Sequence, residues 1–151
     1  MAIRYYYEDL AATLSDNVGS RTIGRDDMIR FAREYDPQPF HVDEAEAKKS
    51  PYGGLIASGW MTCAVVMRMM CDHYLLAAAS LGSPGIENLR WLKPVRPGDT
   101  LTVVRKTLEA RKSQSKPDRG LIKSLWEVSN QHGELVMTME GMGMFACRPA
   151  A

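Results

Sequence analysis

The sequence predicts an α+β domain in which an antiparallel sheet wraps a long central helix. Three observations carry that expectation. From about Ser58 to Leu81 there is no proline and one glycine, at the start, and apolar residues cover most of the helical circumference. A helix apolar nearly all round must be enclosed on most sides. Beyond it the chain changes to short runs with partial alternation, separated by turn signals at Pro97-Gly98-Asp99 and Asn130–Glu134. At 151 residues the chain can bury a single sizeable core, so residues 1–151 are read as one domain.

The elements follow in order. Tyr5–Leu10 and Val18–Ile23 flank a polar stretch, and neither is strongly periodic. From Arg25 the spacing is helical, with Met28, Ile29, Phe31 and Ala32 on one side and charged residues on the other. Asp26 and Asp27 suit the first turn of that helix, and Pro37 disfavours helical geometry at Asp36, which should end it. Asp43-x-x-Glu46 is a capping-box pattern for a short helix reaching about Lys49. Ser50-Pro51-Tyr52-Gly53-Gly54 is a turn, and the long helix comes next. Strands are expected at Leu89–Val95, Leu101–Leu108, Leu121–Ser129 and from Leu135 onward. A polar, basic connection is expected over Ala110–Gly120. In the third strand Ile122, Ser124, Trp126 and Val128 share a face; in the last, Leu135, Met137 and Met139 do.

Composition excludes several function classes. Nineteen basic against eighteen acidic residues leave a net charge of +1, which offers no field for a nucleic acid or an anionic membrane. The longest apolar run is interrupted by Arg68 and Asp72-His73, which makes a poor membrane span. No signal peptide is visible, because Glu8-Asp9 arrive before any apolar stretch. Cys63, Cys71 and Cys147 lack metal-ligand spacing and read as buried free thiols, which suits a reducing, cytoplasmic setting. The three histidines do not form a zinc pattern, so no metal is expected.

The chemistry is concentrated in Tyr35-Asp36-Pro37-Gln38-Pro39-Phe40-His41. Asp36 can orient a water, His41 can exchange a proton near neutral pH, and two prolines stiffen the segment between them. Spacing alone also admits a carboxylate capping local backbone and a histidine satisfied within a loop. Ser58-Gly59 opens the long helix. A glycine there lets a ligand approach unpaired N–H groups that could stabilise a developing oxyanion, or it simply permits close packing. Ser58 lacks a G-x-S-x-G setting and is not expected to be a nucleophile. Arg111, Lys112, Lys116 and Arg119 could hold phosphates, although a solvated hairpin connection is the more common explanation.

The run from Phe31 through Asp43, followed by Ser50 through Gly59, resembles the MaoC-like dehydratase family, which includes (R)-specific enoyl-CoA hydratases. Leu92-Lys93-Pro94-Val95-Arg96-Pro97-Gly98-Asp99-Thr100-Leu101 resembles the family's strand–turn–strand after the helix. The resemblance implies a hotdog fold, with Asp36 and His41 as the catalytic pair. The Gly59 N–H, with Ser58 beside it, would hold the thioester carbonyl. It further implies hydration of a 2-enoyl-CoA, or the reverse dehydration, with no cofactor beyond the thioester's own CoA, in a homodimer or higher oligomer. Gln38, Phe40 and Met67 depart from the family's usual asparagine, aliphatic residue and helix serine. A non-catalytic acyl-thioester-binding subunit is the alternative. A hotdog thioesterase fits less well, because the long helix has no acidic residue before Asp72.

Overall fold

The structure is a computed structural model that describes residues 2–151. In chain order the elements are α1 (Tyr7–Ala12), β1 (Ser15–Thr22), α2 (Arg25–Tyr35), α3 (Pro39–Val42), α4 (Glu44–Lys49) and α5 (Gly59–His73). They continue with a 3₁₀ turn (Leu75–Ala77), β2 (Ser80–Trp91), β3 (Thr100–Lys112), β4 (Arg119–Ser129) and β5 (Leu135–Ala146). The five strands form one sheet in the order β1-β3-β4-β5-β2, antiparallel throughout. Helix α5 lies against it. Met61, Val66, Met69 and Met70 from the helix join Val18, Leu101, Val103, Ile122, Val128 and Met137 from the strands in one core. Each such side chain removed from water contributes about 1.5–3 kcal/mol.

The face predicted for β4 is observed: Ile122, Ser124, Trp126 and Val128 are buried and alternate with half-buried neighbours. In β5, Met137 and Met139 point to the core, whereas Leu135 at the strand start is 37% exposed. Helix α2 stops at Tyr35 as Pro37 requires, leaving Asp36 as its C-cap. Asp43 caps α4 by accepting from the Ala45 and Glu46 N–H groups. The reciprocal half of the capping box does not form, because Glu46 instead takes Lys49.

Five expectations change. The long helix ends at His73, not Leu81, and residues 80–91 form β2, an edge strand paired with β5. The helix is also not enclosed all round: Trp60 and Met67 are 58% and 49% exposed. The strand expected over Leu89–Val95 therefore starts nine residues earlier and stops at Trp91, and the basic connection shrinks because β3 and β4 extend into it. Finally, Cys63, Cys71 and Cys147 are unpaired but half-buried, not buried.

Candidate active site

Asp36 and His41 are brought together by a segment with less freedom than a loop. Pro39 occupies the first position of α3, where its missing N–H costs nothing and its fixed φ favours the turn. That single turn carries His41 inward until it is 5% exposed. The Nδ1 of His41 lies 2.8 Å from the Ile56 carbonyl oxygen. A carbonyl can only accept, so Nδ1 carries a proton and, in the neutral ring, Nε2 holds the free lone pair. Nε2 is 3.2 Å from Asp36 Oδ2. The Ile56 carbonyl is itself held in place, since the Ile56 N–H donates to Phe40 O and the Ala57 N–H to Val95 O.

Asp36 receives two hydrogen bonds. Gln38 Nε2 donates to Oδ1 at 2.7 Å and Ser58 Oγ donates to Oδ2 at 2.7 Å. Burial pushes the carboxyl up, but these two donors, joined by His41 whenever its ring is protonated, outweigh it and hold Asp36 below the ordinary value of 3.8. The group is thus an ionised carboxylate at neutral pH. Ser58, expected beside Gly59 as part of the substrate-binding helix start, is fully buried and commits its hydroxyl proton to Asp36. The same Oγ accepts from the Trp60 N–H as the N-cap of α5. One hydroxyl therefore couples the start of the helix to the carboxylate.

Gly59 is the first residue of α5, and its N–H takes no acceptor among the described residues. The opposite side of the residue is filled: a Cβ there would overlap the Trp91 indole, whose Nε1–H donates to Gly59 O at 3.1 Å. Close packing and a free N–H thus coexist at one glycine. Asp36, His41 and Gly59 line a common cleft of about 510 Å³ with Trp60, Thr62 and Trp91. The basic group at the β3–β4 end does not reach it. There Arg119 pairs with Asp118 and Arg111 with Glu109, as a solvated hairpin would. His73 bonds Asp16, away from the pair. Among the described residues no group of three or more His, Cys, Asp or Glu converges as metal ligands, and no helix is long and apolar enough to cross a membrane.

The profile of the family described as MaoC like domain matches residues 11–123, which include both members of the pair and the Ser58-Gly59 helix start. The chain belongs to the MaoC-like dehydratase family. An uncharacterised Bacillus subtilis protein, YdeM, is 31% identical over 112 residues, 74% of this chain and 78% of that one. The 3-hydroxyacyl-thioester dehydratase Z of Mycobacterium tuberculosis is 34% identical over 95 residues, covering 60% of this MaoC-like chain and 63% of the mycobacterial one. Among solved structures, a MaoC-like dehydratase from Rhodospirillum rubrum superposes with a TM-score of 0.88 at 37% identity, covering 97% of this chain and 100% of that one. The Pseudomonas aeruginosa R-hydratase PhaJ1 reaches 0.73 at 24% identity, covering 98% and 89%, a likeness of fold. The fold of this MaoC-like domain is the hotdog, an antiparallel sheet around a central helix.

Sequence reasoning located Asp36, His41 and Gly59 but missed three contributors. The Ile56 carbonyl that sets the histidine tautomer has no side-chain signature. Trp91 carries only a strand pattern in the sequence. Gln38 was noted only as a departure, yet it supplies one of the two hydrogen bonds that hold the carboxylate.

Proposed function

We propose that this protein hydrates a 2-enoyl thioester, most simply a CoA thioester, to the 3-hydroxyacyl thioester, and catalyses the reverse dehydration. The observation that carries the reading is the fixed polarity of the pair. His41 presents a proton-free Nε2 beside an ionised Asp36 at the edge of a cleft that also holds an unpaired helix-start N–H. A water that enters from the cleft and lies against both groups loses a proton to Nε2 as its oxygen bonds to C3. The displaced electron pair moves through C2 to the thioester oxygen, where the Gly59 N–H stabilises the enolate-like charge. The imidazolium, stabilised by Asp36, then returns the proton to C2 and regenerates neutral His41. CoA enters only as part of the substrate, and the residues named here perform the proton transfers. Names carried by the relatives, a 3-hydroxyacyl-thioester dehydratase and an R-hydratase, lend support at the level of reaction class.

A homodimer is part of the same proposal. Edge strand β2 exposes Leu81 and Ile86, and the uncovered side of α5 exposes Trp60 and Met67. An unpaired apolar edge is a surface that proteins normally cover. The functional test is a spectrophotometric screen of 2-enoyl-CoA substrates, short, long and branched, following loss of the conjugated thioester absorbance. Saturable, protein-dependent loss is expected with at least one class. A folded protein inert across the whole panel would favour a non-catalytic acyl-thioester binder instead.

A further inference from the structure

We infer that the acyl pocket ends in an anion site built on Arg105, so that the preferred substrates are 2-enoyl thioesters whose acyl chain terminates in a carboxylate. The inference rests on the hydratase reading and names its substrate class. A cavity of about 730 Å³ lies between α5 and strands β2, β4 and β5, and it adjoins the catalytic cleft at Trp60, which lines both. Its wall is largely apolar, with Met70, Leu89, Ile122, Met139 and Phe145. An aliphatic chain fits such a wall. The exception is Arg105, which lines the cavity at 2% exposure.

Among the described residues the guanidinium has no anionic partner. Its acceptors are all neutral: Thr107 Oγ1 at 3.3 Å, Ser124 Oγ at 3.3 Å and the Thr13 carbonyl at 3.4 Å. Charge-assisted bonds normally close to about 2.7–2.9 Å. Its Nε–H is buried with no acceptor at all, and so is Nε1–H of Trp126, the residue directly opposite on β4. Ser124 accepts from Arg105 and still has its own hydroxyl proton to give. The Tyr74 ring lies 5.4 Å from the guanidinium carbon and contributes a face but no negative charge. Asp16, opposite Arg105 on β1, is engaged by His73 at 2.8 Å. Two donors, Arg105 Nε–H and Trp126 Nε1–H, therefore stand at one end of an apolar cavity with no acceptor within hydrogen-bond distance among the described residues.

A buried charge left in this state is costly, and an anion arriving on the substrate offsets that cost. The planar fork of arginine matches a carboxylate, and one cation balances one carboxylate charge. A methyl-ended chain would leave the donors unpaired.

The test uses two series of 2-enoyl-CoA thioesters, matched in chain length and ending in methyl or carboxylate, with kcat/KM measured for each on the wild-type protein. At the best length the carboxylate-ended substrate should be favoured about 10–100-fold, the range expected of a buried hydrogen bond to a charged group. Arg105→Gln should bring that ratio close to one. Turnover that favours the methyl-ended series at every length would overturn the inference while leaving the hydratase reading intact. Should neither series turn over, the hydratase reading fails instead. Calorimetric titration with carboxylate- and methyl-ended saturated acyl-CoA then decides the site alone: a preference for the carboxylate supports it, and equal binding overturns it. The wild-type comparison stands even where Arg105→Gln does not fold.

Discussion

Asp36 is fixed by two hydrogen bonds, from Gln38 in its own segment and from Ser58 at the helix start, and lies against His41. Because its pKa is lowered on folding, the ionised carboxylate adds stability above its unfolded value of about 3.8. That contribution is lost as pH falls through the lower folded value. Asp36→Asn should therefore destabilise the protein at pH 7, and the deficit should shrink below about pH 4 as the wild-type carboxyl takes up its proton. Urea midpoints of both proteins at the two pH values check this; a deficit that stays constant or widens in acid would contradict the assignment. The pair was legible in the sequence because its two members lie five residues apart on a proline-stiffened segment. Ser58–Asp36, 22 positions apart, and Arg105 against Trp126 depend on tertiary approach and leave no local pattern.

At the scale of elements, α5 begins where the sequence indicates, since Ser58 is a good N-cap, and ends eight residues before its composition does. Residues 74–81 are apolar and include good helix formers, yet Ala79 is bonded to Tyr5 and Ala146, and β2 pairs with β5 from Ser80 onward. Non-local pairing overrides local propensity there. The exposed side of α5 has a related cause: apolar character all round signals cover, and cover can come from another chain. The helix start gives a prediction that joins structure to chemistry. Ser58→Ala removes the N-cap, at a cost of about 0.5–2 kcal/mol, and one of the hydrogen bonds that lower the Asp36 pKa. The melting temperature should fall, kcat should drop, and the acidic limb of the pH–rate profile should move to higher pH. A stable mutant with an unchanged profile would show that Ser58 serves packing alone.

For the whole molecule, the exposed apolar groups lie on edge strand β2 and the open side of α5, with Ile86 at 50% and Trp60 at 58%. Pairing two copies through that region would cover the edge and narrow the mouth of the large cavity, which Trp60, Met67 and Ile86 line. Light scattering at micromolar concentration should report a dimer, and Ile86→Lys should shift it toward monomer by burying an unpaired charge in the interface. A wild-type monomer at that concentration would sink the dimer proposal.

A sheet laid on one long helix was legible from the apolar run and the turn-separated strands after it, and the hotdog fold from the resemblance carried by Phe31–Asp43 and Ser50–Gly59. In the proposed reaction Asp36 and His41 act as a single proton-transfer unit. A double-mutant cycle on the best 2-enoyl-CoA substrate tests that most directly. Asp36→Asn and His41→Ala should each lower kcat by about 10²-fold or more, and the double mutant should be scarcely worse than the weaker single mutant, because a unit already broken has little left to lose. Near-normal turnover in either folded single mutant, or losses that simply multiply in the double mutant, would contradict the account.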